Sequence, residues 1–219
     1  MSSSHPFKHF FLVCRHRHQV IRNGLHMGIF FHCLRHDLSK YRPSEFMRSA
    51  KYYKGTGSPV YNERLNNNYY SKVCQLHTRR NKHHWEYYTD FLAGRIIVRN
   101  MPYKYCLEYV ADVLSASKTY NKEEFNPSSA FNYFNKMKNH YYFTLGTEEF
   151  LTECFKRYSI SLFKHLKRKE TKPLYNEIIS KYPDTRIFEE LKIDVDLPKL
   201  YEKKDWLKYY LWRWGSNRS

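Results

Sequence analysis

Pro102-Tyr103-Lys104-Tyr105-Cys106-Leu107-Glu108-Tyr109-Val110-Ala111-Asp112-Val113-Leu114 is the run that sets the fold class. Proline suits the first turn of a helix. From there Cys106, Tyr109, Val110, Val113 and Leu114 recur three and four apart, the period that puts side chains on one helical face. The spacing predicts a helix from Tyr103 to about Tyr120. Lys104, Glu108 and Asp112 form a second line at i, i+4 and i+8. Such a line is what a solvated helix face carries, its charges paired one turn apart. It also suits a buried helix whose polar stripe borders a cavity, because most other faces of this segment are apolar.

The same period recurs on both sides. Phe10, Phe11, Cys14, Val20, Ile21 and Leu25 predict a helix from Phe7 to Gly28, where a glycine cap would fall. A second helix runs from Ile29 to about Asp37. Pro43-Ser44-Glu45 opens a third, which carries Phe46 to Tyr53 and stops at Gly55. Thr56 to Pro59 reads as a loop, Asn66 to Arg80 as a helix, and Asn81 to Tyr88 as less regular chain. Downstream, Asn126-Pro127-Ser128 breaks the chain before a helix from Ala130 to Tyr142. Gly146-Thr147-Glu148-Glu149-Phe150 has the capping arrangement that opens a long helix to about Lys169. Beyond it Pro173, Pro183 and Pro198 divide the chain into short segments ahead of an aromatic-basic tail, Trp206 to Trp214. No stretch alternates convincingly at the strand period, and there is no internal repeat. The expectation is a mostly α protein: one helical-bundle domain over residues 5–169, with a C-terminal helical extension over 170–219 packed on it.

A chain of 219 residues can bury a full hydrophobic core, and its 21 Tyr and 15 Phe argue against disorder throughout. Thirty-eight Lys and Arg against 21 Asp and Glu give a formal charge of +17. A field of that sign draws in nucleotides, nucleic acid or acidic membranes, and equally keeps a lysine-rich surface solvated. The five cysteines, Cys14, Cys33, Cys74, Cys106 and Cys154, are odd in number and form no C-x-x-C pair. That argues against a disulfide framework and a cysteine zinc site. No window approaches the length of a membrane span, and the N-terminal apolar run is too short for a cleavable signal. The expected location is the cytoplasm.

The chemistry-bearing stretch is His36-Asp37-Leu38-Ser39-Lys40. An imidazole and a carboxylate on adjacent residues grip one ion only if further ligands come from distant parts of the chain. His16 lies before them, His77, His83 and His84 after them, and then Asp112; ten of the twelve histidines fall within the first 84 residues. Divalent transition metals in hydrolases take neutral imidazole nitrogen and carboxylate oxygen, with positions left for water and substrate. Mn, Fe, Co, Ni and Zn all fit such donors. Each piece also has a plainer reading. His18, beside Arg15 and Arg17, reads as a surface residue, and His26 and His32 as partly exposed helix residues. His83-His84-Trp85 reads equally as a packed loop whose imidazoles are satisfied by hydrogen bonds, with Asn81 fixing the loop.

Several blocks together resemble a known pattern. His16-x-x-x-Val20, Gly24-Leu25, His36-Asp37-Leu38-Ser39-Lys40-Tyr41-x-Pro43-Ser44-Glu45-Phe46, His77-x-x-x-Asn81-x-His83-His84-Trp85-Glu86-Tyr87 and Met101-Pro102-x-x-Tyr105-x-x-Glu108-x-x-Ala111-Asp112 are similar to the successive blocks of a domain-of-unknown-function family met mostly in bacteria and their phages. The likeness covers roughly residues 10 to 160. Its ordering is in turn similar to the HD superfamily of metal-dependent phosphohydrolases. That resemblance implies His16, His36, Asp37 and Asp112 as primary ligands of one or two divalent transition-metal ions. His77, His83 and His84 would hold a second ion or phosphate oxygens, Lys40 would approach substrate phosphate, and Glu45 would orient a water. Glu108 of the last block joins the candidate catalytic set. Val113-Leu114 departs from the pattern, as does Lys82. Lys40 stands where many HD enzymes carry a glutamate, which leaves the proton-handling role unassigned.

The function implied is hydrolysis of a nucleotide or related phosphate ester, an anionic phosphate-containing small molecule. Two other classes stand beside it. One is a non-catalytic nucleic-acid-binding protein working through the basic surface and the tail. The other is a degenerate HD-like scaffold that binds a nucleotide without turning it over.

Overall fold

The computed structural model describes residues 5–55, 58–121 and 124–189. In chain order its helices are α1 (Pro6–Met27), α2 (Phe30–Cys33), α3 (Pro43–Tyr52), α4 (Pro59–Leu65) and α5 (Lys72–Arg80), then α6 (Tyr103–Asn121), α7 (Ser129–Met137), α8 (Leu145–Ser161) and α9 (Arg168–Ser180). A small sheet is built from β1 (Thr89–Leu92), β2 (Arg95–Arg99) and β3 (Thr185–Glu189). The mostly helical expectation holds.

α1 and α6 lie side by side at the centre. The buried Asn23 of α1 donates its amide to the Ala111 carbonyl (3.1 Å) and the Ser115 hydroxyl (2.9 Å) of α6. Cys106, Leu107, Val110 and Ala111 of α6 are fully buried. Lys104 is exposed while Glu108 is buried, so the polar line of α6 runs from solvent into the interior and borders a cavity. α1 ends where Gly28 takes a positive φ of 75°, which lets the Gly28 and Ile29 N–H groups close on Leu25 and Gly24. Gly24 permits a second close approach: a Cβ there would stand 2.5 Å from the Cys33 sulfur of α2.

Around this pair Phe134 of α7 and Phe150 and Phe155 of α8 are fully buried, with Phe134 and Phe155 ring centroids 4.9 Å apart. Each such ring contributes about 1.5–3 kcal/mol by leaving water. α8 is capped by Thr144, whose hydroxyl accepts from the Thr147 N–H, and it stops at Leu162 with a positive φ of 54°. It therefore ends well short of Lys169. α9 then runs through Pro173 rather than breaking there, and its Ile178 is buried in the common core. The Tyr175 hydroxyl donates to the Met101 carbonyl at 2.9 Å, tying α9 to the start of α6.

Other boundaries differ from the sequence expectation for local reasons. The second helix stops at Cys33, and His36 and Asp37 sit in turns with Asp37 at φ 52°. Asn68 and Tyr69 also take positive φ, which splits the expected helix over 66–80 into a turn and α5, started by the Ser71 cap. Ser58 caps an unexpected α4. The sheet was not expected either. β1 and β2 form a hairpin closed by Ala93-Gly94, both at positive φ, and β3 pairs antiparallel with β2, Ile97 opposite Ile187. Ile96 and Val98 turn inward from β2. Thr56, Gly57 and everything from residue 190, including the Trp206–Trp214 tail, lie outside the described residues.

Candidate metal centre

Six segments bring the site together. His16 comes from the middle of α1, and His36 and Asp37 from the turn after α2. Lys40 sits on a 3-10 turn, Leu38–Tyr41, and His77 on α5. His83 and His84 follow α5, and Asp112 stands one turn beyond Glu108 on α6. The left-handed backbone of Asp37 is uncommon outside glycine, though aspartate tolerates it better than most residues. The consequence is that His36 and Asp37 share one gap, with His36 Nε2 3.2 Å from Asp37 Oδ2.

The gap has two overlapping halves. On one side His16 Nε2 lies 2.8 Å from Asp112 Oδ1, and His36 Nε2 lies 3.7 Å from the same oxygen. On the other, His77 Nε2 and His83 Nε2 stand 3.4 and 3.6 Å from Asp37 Oδ1. His84 completes this half, its ring 4.3 Å from that of His83. Among the described residues three sets have donor atoms within 4.8 Å of one another: His16, His36 and Asp112; His36, Asp37 and His83; and His77, His83 and His84. His36 and His83 each belong to two of these sets, and Asp37 stands between them, its Oδ2 towards His36 and its Oδ1 towards His77 and His83.

Carboxylates behind the histidines decide which ring nitrogen faces the gap. Glu108 Oε1 accepts from Nδ1 of both His36 (3.0 Å) and His83 (3.1 Å), while its Oε2 meets His32 Nε2 at 2.6 Å. Glu45 takes Nδ1 of His77 at 2.8 Å and also meets Arg80. An ionised carboxylate only accepts, so each of these Nδ1 atoms carries the proton and each Nε2 presents its lone pair to the gap when the ring is neutral. Nε2 of His36, His83 and His84 and Oδ1 of Asp37 are buried and have no hydrogen-bond partner among the described residues.

The electrostatics follow from this crowding. Burial raises a carboxyl pKa, but in Glu108 the hydrogen bonds from His32, His36 and His83 outweigh it. His36, Lys40 and His77 do the same for Asp37, and His16 for Asp112, so all three are held below the ordinary carboxylate range. Burial alone would lower His36, yet Asp37, Glu108 and Asp112 carry it up to about 10. Burial keeps His16 low despite Asp112, and it keeps His84 well below the ordinary value, helped by the charges of His83 and His77. The site is a buried excess of negative charge with few cations of its own.

Residues 5–157, 153 of the 219, match the model of a family of unknown function, DUF5662. The chain belongs to the DUF5662 family. No curated protein and no solved structure matches it. The matched segment of this DUF5662 chain contains every residue of the site and ends before α9.

All four residues expected as primary ligands, His16, His36, Asp37 and Asp112, converge, and so do His77, His83 and His84. Lys40 Nζ lies 2.6 Å from Asp37 Oδ2, at the wall of a cavity of about 300 Å³ that opens beside the cluster. Glu45 and Glu108 are almost fully buried and hold histidines from behind, the geometry of positioning residues, and Glu45 also lines the cavity. Asn81 donates to the Ser39 hydroxyl and the His77 carbonyl, both at 2.8 Å, and so ties the loop to its neighbours as well as to its own backbone. His32 was missed. It reads as a helix-surface residue, and its contact with Glu108 depends on how α2 meets α6; its place four residues before His36 was the one local hint.

Proposed function

We propose that this DUF5662 chain is a metal-dependent phosphohydrolase, similar to the HD superfamily, that acts on a nucleotide or a related phosphate ester. The observation that carries the reading is the set of unpartnered buried donors, Nε2 of His36, His83 and His84 with Oδ1 of Asp37. Leaving one such atom unpaired costs about 1–3 kcal/mol, and cations bound between them would satisfy all four. The donors are nitrogen and carboxylate oxygen without sulfur, which fits a divalent transition metal. His16, His36, Asp37 and Asp112 would hold one ion, and His77, His83 and His84 a second, with Asp37 between.

A divalent ion bound there lowers the pKa of its water towards neutrality and offsets charge on a phosphoryl group. The chain's own part is orientation and charge. Glu108 and Glu45 fix the imidazoles, and Lys40 sets a positive charge at the cavity wall within reach of an anionic substrate. The field of a +17 chain raises the local concentration of such anions.

The test is metal analysis of protein purified without chelator, alongside His36→Ala and Asp37→Ala, followed by a nucleotide panel assayed with added manganese, cobalt or iron. Stoichiometric metal lost in both variants, and turnover that tracks it, is the expected result. Wild-type protein with no bound metal and no gain on adding any of the three sinks the reading. One observation favours a non-hydrolytic nucleotide-binding scaffold: Lys40 places its ammonium on Asp37, where the HD resemblance leads one to expect an acid. Protection by nucleotide against thermal unfolding without turnover would support that scaffold instead.

A further inference from the structure

Residues 5–55 carry ten Lys and Arg but two acids, Asp37 and Glu45, and both acids are buried in the metal centre. The outer surface of α1, α2 and α3 is therefore without a carboxylate of its own. Six of the exposed positions of α1 fall on one line at helical spacing: Phe7, Phe11, Arg15, His18, Arg22 and Leu25. At 1.5 Å per residue this row is about 27 Å long. Its apolar members stand in water, with Phe7 79%, Phe11 65% and Leu25 61% exposed. The row continues sideways, because Phe10 packs edge-on against Phe11 at 5.8 Å and against Tyr41 at 6.0 Å. Isolated surface hydrophobes need no explanation, whereas a row of them interleaved with arginines does.

We infer that this face of α1 docks on an anionic phospholipid surface. A helix with bulky apolar side chains among cations settles in the interfacial plane, the rings in the acyl boundary and the arginines on lipid phosphates. No helix among the described residues is long and apolar enough to cross a membrane, so the contact is peripheral. A second copy of the chain fits poorly, since a two-fold contact would set the arginines of one copy against those of the other with no carboxylate of this face between them. Nucleic acid would use the arginines and could stack on the phenylalanines, but Leu25 has neither a π-face nor a hydrogen-bonding group to offer it.

The test is co-sedimentation of the full-length chain with phosphatidylcholine vesicles, with and without phosphatidylserine. Binding is expected to the anionic vesicles alone and to fall as salt rises. Each arginine at such a surface is worth roughly fivefold in partition, so Arg15→Gln with Arg22→Gln should weaken binding by roughly 25-fold. Phe7→Ser with Phe11→Ser should weaken it independently of salt. All four positions are exposed, and an unchanged thermal midpoint in each double variant verifies the fold. Absence of binding to anionic vesicles at low salt overturns the inference. So does binding that neither double variant alters, or a single-stranded oligonucleotide bound through the same residues while vesicles are not.

Discussion

Glu108→Gln separates a residue that acts through histidines from one that acts on substrate. In the wild type the two carboxylate oxygens receive three imidazole N–H groups, from His36 at 3.0 Å, His83 at 3.1 Å and His32 at 2.6 Å. An amide of the same shape keeps one acceptor oxygen and turns a donor NH₂ towards at least one of those rings. Where it faces His36 and His83, those rings must rotate or change tautomer, which takes their Nε2 lone pairs out of the gap. Where it faces His32, those two rings share one neutral amide oxygen in place of a charged carboxylate. Loss of such a partner behind a metal ligand costs about 10–100-fold in metal affinity, or about 1.4–2.7 kcal/mol. Competition with a chromophoric chelator, using cobalt so that the ligand field is read in the same titration, measures it. The expected result is unchanged stoichiometry, affinity weaker by that factor, and turnover that recovers at saturating metal. Unaltered affinity refutes the positioning role. Turnover that stays lost at saturating metal also refutes it, and would return Glu108 to direct chemistry.

Chelation of the metal-loaded protein should lower its unfolding free energy by about 2.7 kcal/mol relative to metal at one hundred times its dissociation constant; a thermal midpoint indifferent to chelator contradicts the centre. Gly24→Ala drives a Cβ to 2.5 Å from the Cys33 sulfur and should destabilise by about 1–3 kcal/mol in urea unfolding. A neutral outcome would mean that α2 can move off α1. Burial, with Lys40 nearby, lowers His9 to about 4 from 6.5 in the unfolded chain. Between those values the unfolded chain holds a proton that the folded one does not, so His9's contribution is intact above pH 6.5 and is lost as pH falls towards 4. The loss reaches up to about 3 kcal/mol. His9→Phe should remove that part of the acid sensitivity, read as the wild-type-minus-variant difference in unfolding free energy near neutral pH and again in acid; a difference that does not change with pH contradicts it.

The helices that were legible are those whose burial follows from their own period. α6 is apolar on most faces, and its polar line fitted either a solvated face or a cavity border until packing buried Glu108 and set Asp112 in the cavity wall. The sheet was hidden for the converse reason. β1 turns no residue fully inward, and the Ala93-Gly94 turn lacks the asparagine or aspartate that usually advertises such a hairpin. Pro173 reads as a break, yet packing of Thr171 and Ile178 against the body holds α9 together despite the missing N–H. Order along the chain pointed to the histidines and aspartates that converge. It did not reveal the carboxylates behind them, because the pairs Glu45–His77 and Glu108–His36 join elements 32 and 72 residues apart.

That concealed layer bears on why these acids sit so deep. A buried carboxylate is costly unless paired, and here Asp37, Glu108 and Asp112 are all held ionised within one small volume. In the chain by itself the compensating cations are Lys40 and a protonated His36. Neither satisfies Asp37 Oδ1 or the inward nitrogens of His83 and His84. A core selected for stability alone would do better with apolar side chains of similar volume. The arrangement makes physical sense as a cage with its walls pre-set: the negative charge attracts a divalent cation, and the two glutamates hold the rings in the one tautomer that can receive it. The same reasoning ranks the substitutions. Removing Asp37, which faces both halves of the gap, should empty both, whereas removing His16 should weaken the half around Asp112 and leave the half around His77, His83 and His84 intact. Metal stoichiometry measured in Asp37→Ala and His16→Ala checks that order, and equal losses in the two variants would contradict the shared role given to Asp37.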